Sequence, residues 1–130
     1  MKIIVDASAI MAVIAEESKK NMVINLTKNS IILSPNMVSY EIANGLTKMM
    51  KKKIIGKEIM IILYKYFKKI NIEFIEIDIE KALELAWEYN IYAYDACYLE
   101  SAKRLNLSLL TFDTGMQNIG KAIGINILGG

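Results

Sequence analysis

Short aliphatic runs alternate with longer amphipathic stretches along this chain. The runs Ile3–Val5, Ile31–Leu33 and Ser108–Leu110 are typical of strands buried on both faces of a parallel sheet. Residues 73–77 predict an edge strand with one wet face, and residues 125–128 predict a short final strand. Helices are expected over residues 9–15, 18–28, 35–52, 56–69, 78–89, 91–102 and 113–121. This alternation predicts a three-layer α/β/α fold with a mostly parallel sheet of four to five strands.

Three of the helix starts carry a recognisable signal. Ser18 and Asp78 are typical N-cap residues, whose side chains accept hydrogen bonds from otherwise unpaired amides. Ser34 followed by Pro35 predicts a helix that has a capping residue and then proline at its first position. We therefore expect the third helix to run from Pro35 to about residue 52.

Four carboxylates occupy positions that would bring them to one edge of this sheet. Asp6 and Asp113 each follow a buried strand, where an aspartate is also a common helix cap. Glu41 lies within the apolar stripe of the third helix, beside Gly45, and Asp95 lies on the inward stripe that continues through residues 99, 102 and 105. Because ligands of open α/β sheets bind at the carboxyl ends of the strands, we expect the four to converge there.

Converging carboxylates raise one another's pKa unless a cation neutralises them. Oxygen-only ligands suit Mg²⁺ or Mn²⁺, and a carboxylate cluster that holds such a metal is a usual platform for phosphodiester hydrolysis. The metal would activate a water, and one carboxylate would take its proton.

Composition narrows the chemistry further. The 130 residues are enough for one domain, residues 1–130, and 54% of them are apolar. The chain has no His and only one Cys, Cys97, which excludes Ser-His-Asp catalysis, Cys-His catalysis and thiolate zinc sites. The net charge of +2 permits a polyanionic partner, but Arg104 is the only Arg, so bidentate reading of bases by Arg is not expected. Cys97 is expected to be a small buried apolar residue.

The N-terminal 15 residues imitate a signal peptide, but Asp6 interrupts their apolar run. No stretch is long and uncharged enough for a membrane helix. We therefore expect a cytoplasmic protein without a membrane partner.

Taken together, four segments resemble those of PIN-domain ribonucleases of the VapC-like toxin type. The four segments match the family in order and spacing, and the total length also agrees. The resemblance covers essentially the whole domain. The four segments are Val5–Ala9, Tyr40–Asn44, Tyr94–Ala102 and Leu110–Asp113.

The resemblance implies a Mg²⁺- or Mn²⁺-dependent endoribonuclease whose acidic site consists of Asp6, Glu41, Asp95 and Asp113. It also implies RNA as the substrate, a homodimer and, commonly, an antitoxin protein that blocks the site. The family's small hydroxyl positions beside the site are matched by Ser8 and Thr111.

Other functions share parts of this sequence pattern. A haloacid-dehalogenase-like phosphatase needs an acid two residues after its first aspartate, and this chain has Ser8 there. A phosphoacceptor receiver domain typically carries paired acids after its first strand, whereas Asp6 has no acidic neighbour. A non-catalytic RNA- or protein-binding module on the same fold remains open, as does an RNA-processing nuclease outside a toxin–antitoxin pair.

Basic and aromatic side chains offer further candidates. Lys48, Lys51 and Lys52 could steer RNA towards the acidic pocket, or could simply complement the dipole at a helix end. The tyrosines at positions 92, 94 and 98 could stack on bases, although their helical spacing favours core or dimer contacts.

Overall fold

Five strands and seven helices alternate along residues 1–130, all of which are described by the computed structural model. The elements in chain order are β1 (Lys2–Val5), α1 (Ala7–Ile14), α2 (Lys20–Thr27), β2 (Ile31–Pro35), α3 (Val38–Lys51), α4 (Lys57–Lys69), β3 (Ile72–Ile75), α5 (Ile79–Tyr89), α6 (Ala93–Leu105), β4 (Ser108–Leu110), α7 (Thr114–Ala122) and β5 (Ile127–Leu128).

The strands form one parallel sheet in the order β3-β2-β1-β4-β5. In its centre Ile4 lies opposite Leu33 on one side and Leu109 on the other. The chain moves outward from β1 through β2 to β3, which is an edge strand as predicted, and then crosses to β4 and β5. The carboxyl ends of β1 and β4 therefore flank the point at which the strand order reverses, where sheets of this kind bind ligands.

The helices pack in two groups. Helix α1 contacts α2, α3 and α4, whereas α6 contacts α5 and α7. Because crossovers between parallel strands are right-handed, the two groups cover opposite faces of the sheet. The predicted three-layer α/β/α fold is confirmed, with five strands. None of the helices combines the length and the apolar character that crossing a membrane would require.

The core is centred on the middle strands, as their aliphatic sequences predict. The side chains of Ile3, Ile4, Leu109 and Leu110 are completely buried. They belong to one cluster of 20 buried residues that reaches helices on both faces of the sheet. Truncation of such a residue to Ala destabilises a protein by about 2–5 kcal/mol, so these strands hold the carboxylate edge in place.

The start of α3 differs from the prediction. Pro35 ends β2 and lies opposite Ile75 of β3, so a helix beginning at Pro35 was wrong. The hydrogen-bonded ladder between β1 and β2 ends at Leu33. Pro35, which has no backbone N–H, lies beyond that point, so the ladder loses no hydrogen bond to it. Ser34, expected to cap a helix, instead donates its hydroxyl to the Val5 carbonyl (2.8 Å) and joins the two strands.

The other two expected caps had different outcomes. Asp78 caps α5 as predicted, since its carboxylate accepts a hydrogen bond from the Lys81 N–H (3.2 Å). The Ser18 cap was wrong, because α2 begins at Lys20 and the preceding Lys19 makes no side-chain capping bond.

Helix α6 also differs in part from its predicted stripe. Tyr98 and Cys97 are buried, as expected for core residues. Leu105, expected to face inward, is exposed at the last turn, and Tyr92 and Tyr94 are exposed at the first. These two tyrosines are therefore not core residues, and their expected role in dimer contacts stays a prediction.

Candidate active site

Asp6 is the first residue after β1, and only 4% of it is exposed. Its Oδ1 accepts hydrogen bonds from Ser8 Oγ (2.6 Å) and from the Ala9 N–H (3.1 Å), and its Oδ2 accepts one from Thr111 Oγ1 (2.5 Å). Asp6 thus caps α1, and both predicted hydroxyls contact its carboxylate directly. A buried carboxylate needs such donors, because an unpaired one would be strongly unfavourable.

Asp113 reaches the same edge of the sheet from β4. Its Oδ1 accepts a hydrogen bond from the Met116 N–H (2.9 Å) and so caps α7, while its own N–H donates to Thr111 Oγ1 (3.1 Å). The Phe112 N–H donates to Ser8 Oγ (3.3 Å). The hydroxyls of Ser8 and Thr111 therefore tie the segment after β4 to Asp6, and Asp113 remains exposed beside it.

Glu41 enters from α3, whose apolar side is formed by the buried residues Val38, Ile42 and Leu46. It is partly buried, and its Oε1 accepts a hydrogen bond from the hydroxyl of Tyr98 (2.5 Å). Tyr98 is only 1% exposed, so it is a fixed support for the carboxylate. Burial and the negative charge of Glu41 raise the pKa of Tyr98, which keeps the phenol protonated as a donor.

Asp95 lies in the first turn of α6 and is partly buried. Burial raises its pKa, and the charges of Asp113 and Asp6 raise it further. No hydrogen bond contributes to this shift, in contrast to Asp6 and Glu41. Asp95 is therefore the carboxylate of the four that is least engaged by the surrounding protein.

The other two shifted carboxylates show the same electrostatic pattern. Burial raises the pKa of Asp6 against the opposing effect of its hydrogen bonds, with a smaller contribution from Asp113. Burial also raises the pKa of Glu41, to which the charges of Asp6 and Asp95 add, whereas Lys48 opposes the shift. The four predicted residues thus act on one another through space at one edge of the sheet.

These carboxylates provide the donor set that a hard divalent cation prefers. All of the available ligands are oxygens, their mutual repulsion is not balanced by a basic partner at salt-bridge distance, and a cation would relieve it. In the geometry described, however, no three of them are close enough together to hold a metal ion. The chemistry of the donor set fits a metal, and binding would require the side chains to draw together.

The three candidate lysines are not equivalent. Lys48 lines a cleft beside Glu41 and Ser8, and its charge partly opposes the rise in the pKa of Glu41. Lys51 and Lys52 are exposed at the end of α3 and do not line that cleft. Only one of the three is thus directed by the fold to the acidic site.

Sequence reasoning missed several residues of the site. The bond from Tyr98 to Glu41 joins α6 to α3, and the available signal was that Tyr98 follows Asp95 by three residues and so shares its helix face. Tyr40 and Asn44 also line the cleft, one residue before and three after Glu41.

A second cavity, of about 320 Å³, lies between α5 and α6 at the opposite end of α6 from Asp95. Its lining includes Arg104, whose Nε donates to the buried Glu100 Oε1 (2.6 Å) and whose Nη2 donates to the Glu76 carbonyl (2.8 Å). The only Arg of the chain is therefore bound to Glu100 and Glu76, away from the four carboxylates of the site.

Comparison with known proteins finds ribonucleases of similar sequence and a solved structure of similar fold. Ribonuclease VapC3 of Pyrobaculum aerophilum is 27% identical over 118 residues, which cover 87% of this chain and 90% of the relative. Ribonuclease VapC9 of Mycobacterium tuberculosis is 27% identical over 122 residues, or 92% of each chain. A chain in the solved structure of Rickettsia felis VapBC2 bound to a DNA fragment from their promoter superimposes with a TM-score of 0.67, at 20% identity and 98% coverage of both chains.

A family model described as PIN domain matches residues 3–122. The match begins in β1, ends in α7 and includes all four carboxylates. On this evidence the chain belongs to the PIN domain family, as its sequence motifs indicated.

Proposed function

We propose that this protein is a divalent-metal-dependent endoribonuclease, with Asp6, Glu41, Asp95 and Asp113 as its metal-binding and catalytic residues. The observation that carries the proposal is that four carboxylates act on one another at the reversal point of the sheet without a balancing basic partner. The ribonuclease names of its relatives support RNA as the substrate.

A bound Mg²⁺ or Mn²⁺ would supply Lewis-acid stabilisation of the phosphate and a more acidic water. Asp6 is held by three donors, so it provides a fixed anchor at the floor of the site. Glu41 is oriented by Tyr98. Asp95 has a raised pKa and no competing hydrogen bond, which suits it to orient the attacking water and accept its proton.

Positive charge near the site supports binding of a polyanion. Lys48 lies in the cleft, and Lys51 and Lys52 extend the charge along the end of α3. We expect all three to raise the rate at which RNA reaches the site, with Lys48 also in contact with the bound chain.

The proposal includes the partners that the family resemblance implies. We propose that the protein acts in the cytoplasm as the toxin of a toxin–antitoxin pair and that it forms a homodimer. A stripe of exposed apolar side chains at Ile79, Leu83 and Trp87 of α5 supports association with another chain, because exposed apolar patches commonly mark interaction surfaces.

Cleavage of a mixed set of single-stranded RNAs tests the activity. Wild-type protein should cut with Mg²⁺ or Mn²⁺, whereas EDTA or Asp6→Asn should abolish cutting. Asp78→Asn is a matched control, because Asp78 also caps a helix but lies outside the site. Failure of clean, folded wild-type protein to cut any RNA, or undiminished cutting by Asp6→Asn, would contradict the nuclease assignment and favour a binding module.

The toxin role has its own test. Induced expression of the wild-type chain in a bacterial host should arrest growth, and Asp6→Asn should not. An active nuclease whose expression leaves growth unaffected would instead indicate RNA processing outside a toxin–antitoxin pair.

A further inference from the structure

The cleft beside the carboxylates contains more than catalytic groups. It has a volume of about 280 Å³, near the lower end of the roughly 300–1,000 Å³ typical of ligand pockets. Three helices line it: α1 through Ala7, Ser8 and Met11, α3 through its face at positions 40, 41, 44, 45 and 48, and α6 through Tyr94. Ser8 and Glu41 connect this space to the acidic site.

Two tyrosines of the cleft keep large aromatic surfaces in water. Tyr40 is 77% exposed and Tyr94 is 57% exposed, although both lie within one residue of a site carboxylate. Tyr98 of the same helix is fully packed, so exposure is not a general property of the tyrosines here. Aromatic faces at the rim of a polar cleft are suited to stack on bases, since every base has a π-face.

The remaining polar groups of the cleft are suited to the other parts of a nucleotide. Asn44 carries an amide that can both donate to and accept from a base edge. Lys48, one helical turn further along α3, carries a positive charge that already acts on Glu41 and can contact a phosphate. Gly45 between them has no side chain, so that wall of the cleft stays open.

We propose that this cleft, defined by Tyr40, Asn44, Lys48 and Tyr94, holds one unstacked nucleotide of single-stranded RNA next to the scissile phosphate. The two tyrosines contact the base, Asn44 contacts its edge and Lys48 contacts an adjacent phosphate. The inference rests on the proposed nuclease function and adds to it the side chains that hold one nucleotide of the substrate. A base within a duplex is already stacked on both faces, so the cleft selects single-stranded regions.

Binding measured without cleavage tests this inference. Labelled single-stranded RNA is titrated with the Asp6→Asn protein, and fluorescence anisotropy gives the affinity. Adding Tyr40→Ala or Tyr94→Ala should weaken binding about five- to a hundredfold, the range of a lost base–aromatic stack. Tyr92→Ala is the matched control, because Tyr92 is exposed immediately before α6, two residues from Tyr94, but does not line the cleft.

Abasic substitution along the RNA locates the contact. Removal of a base should weaken binding to the Asp6→Asn protein at only one position of the RNA. When Tyr40→Ala is added to the Asp6→Asn protein, removal of that base should no longer weaken binding. A base whose removal has the same effect in both proteins, or equal losses from the Tyr92 and Tyr40 variants, would overturn the inference.

The phosphate contact has a separate signature. Lys48→Gln should reduce the salt dependence of binding, the slope of log affinity against log salt, by about 0.7. Lys28→Gln removes an exposed lysine that precedes β2, at the amino-terminal end of the strands and away from the site, and should leave the slope unchanged. Equal slopes for wild type and Lys48→Gln would remove Lys48 from the site.

These results are distinguishable from failure of the nuclease assignment. If the wild-type chain does not cut RNA but binds it in a way that depends on Tyr40 and Tyr94, the nucleotide-binding cleft is supported and the nuclease activity is contradicted. If the wild-type chain cuts RNA and its Tyr40 and Tyr94 variants bind and cut normally, the nuclease activity is supported and the nucleotide-binding cleft is contradicted.

Discussion

Thr111 donates its hydroxyl hydrogen to Oδ2 of Asp6 and accepts the N–H of Asp113 on the same oxygen. One side chain at the end of β4 thus supports a carboxylate after β1 and fixes the backbone of a second. Thr111 is completely buried, and the side-chain amide of Gln117 donates a hydrogen bond to its backbone carbonyl (2.8 Å).

Thr111→Val should therefore destabilise the protein by about 1.5–3 kcal/mol, the range for a lost hydrogen bond to a charged group. It should also raise the pKa of Asp6 further, because a bond that stabilises the charged form is lost. Urea unfolding gives the first effect, and the pH dependence of Mn²⁺ binding gives the second. Thr111→Ser keeps the hydroxyl and should lose only about 1 kcal/mol of packing; equal effects of Ser and Val would contradict the role of the bond.

Asp6→Asn should change the stability of the metal-free protein little at neutral pH, because the removal of a buried charge offsets the loss of one acceptor oxygen that Thr111 or Ser8 now uses. The folded-state pKa of Asp6 is raised above its ordinary value of 3.8, so the folded chain binds more protons than the unfolded chain between these two values. The contribution of Asp6 to the stability of the wild type therefore falls as pH rises through that window and is constant above it. The stability of Asp6→Asn relative to the wild type should be highest at pH 7 and should decrease towards pH 4, as measured by urea unfolding. Unfolding of the variant at pH 7 would indicate a purely structural role for Asp6.

Addition of Mg²⁺ or Mn²⁺ should raise the unfolding temperature of the wild type. At a metal concentration a hundred times the Kd the gain is about 2.7 kcal/mol. Binding should release protons, since the raised pKa values of Asp6, Glu41 and Asp95 mean that metal competes with protons for them. Calorimetry in buffers of different ionisation enthalpy measures the release. Asp6→Asn should show a much smaller temperature shift, and an identical shift would place the metal elsewhere.

Gly45→Ala should stabilise α3 by about 1 kcal/mol, the difference in helix propensity between the two residues. A Cβ at Gly45 would meet the Met11 side chain at 3.5 Å, an ordinary contact, so no strain opposes the gain. Gly129→Ala is the contrasting variant, because Gly129 has a left-handed φ of 93° and a Cβ there would lie 2.9 Å from the Thr111 carbonyl oxygen, so the substitution should destabilise by about 1–3 kcal/mol. Chemical denaturation of both variants checks the opposite signs. A loss of stability in Gly45→Ala would show that the cleft wall has no room.

Arg104→Ala should destabilise the protein by about 2–4 kcal/mol and leave cleavage per folded molecule unchanged. The substitution leaves the buried Glu100 carboxylate without its partner and removes the bond to the Glu76 carbonyl after β3. Denaturation and cleavage assays at a temperature where the variant is folded separate the two effects. Arg104→Lys should recover only part of the stability, because one ammonium group cannot reproduce both contacts. Reduced cleavage by folded Arg104→Ala would place Arg104 in RNA binding after all.

The sequence predicted the parts of the fold that depend on local pattern. Runs such as Ile3–Val5 are typical of inner strands, and Asp6 and Asp113 lie one and three residues after the ends of such strands. The start of α3 was predicted wrongly because Ser34 and Pro35 carry a strong local helix signal. Pairing with β3 and a bond to Val5, both long-range contacts, overrode that signal.

The candidate site shows the same division. Periodicity alone placed Glu41 and Asp95 on inward faces, where the structure has them partly buried. Helical spacing could not separate Tyr94 from Tyr98, since neither residue type nor period shows where a helix emerges from the core. The bond between Tyr98 and Glu41 depends on how α6 packs near α3, and no local pattern contains that information.

The position of the only tryptophan determines what fluorescence can measure in this protein. Trp87 is 90% exposed on the outer face of α5, so its indole is already in contact with water in the native monomer. Global unfolding should therefore change its emission wavelength little, and circular dichroism is the better probe for denaturation. Conversely, a blue shift of that emission with rising protein concentration would report a second chain covering α5, from a native residue and without any added label.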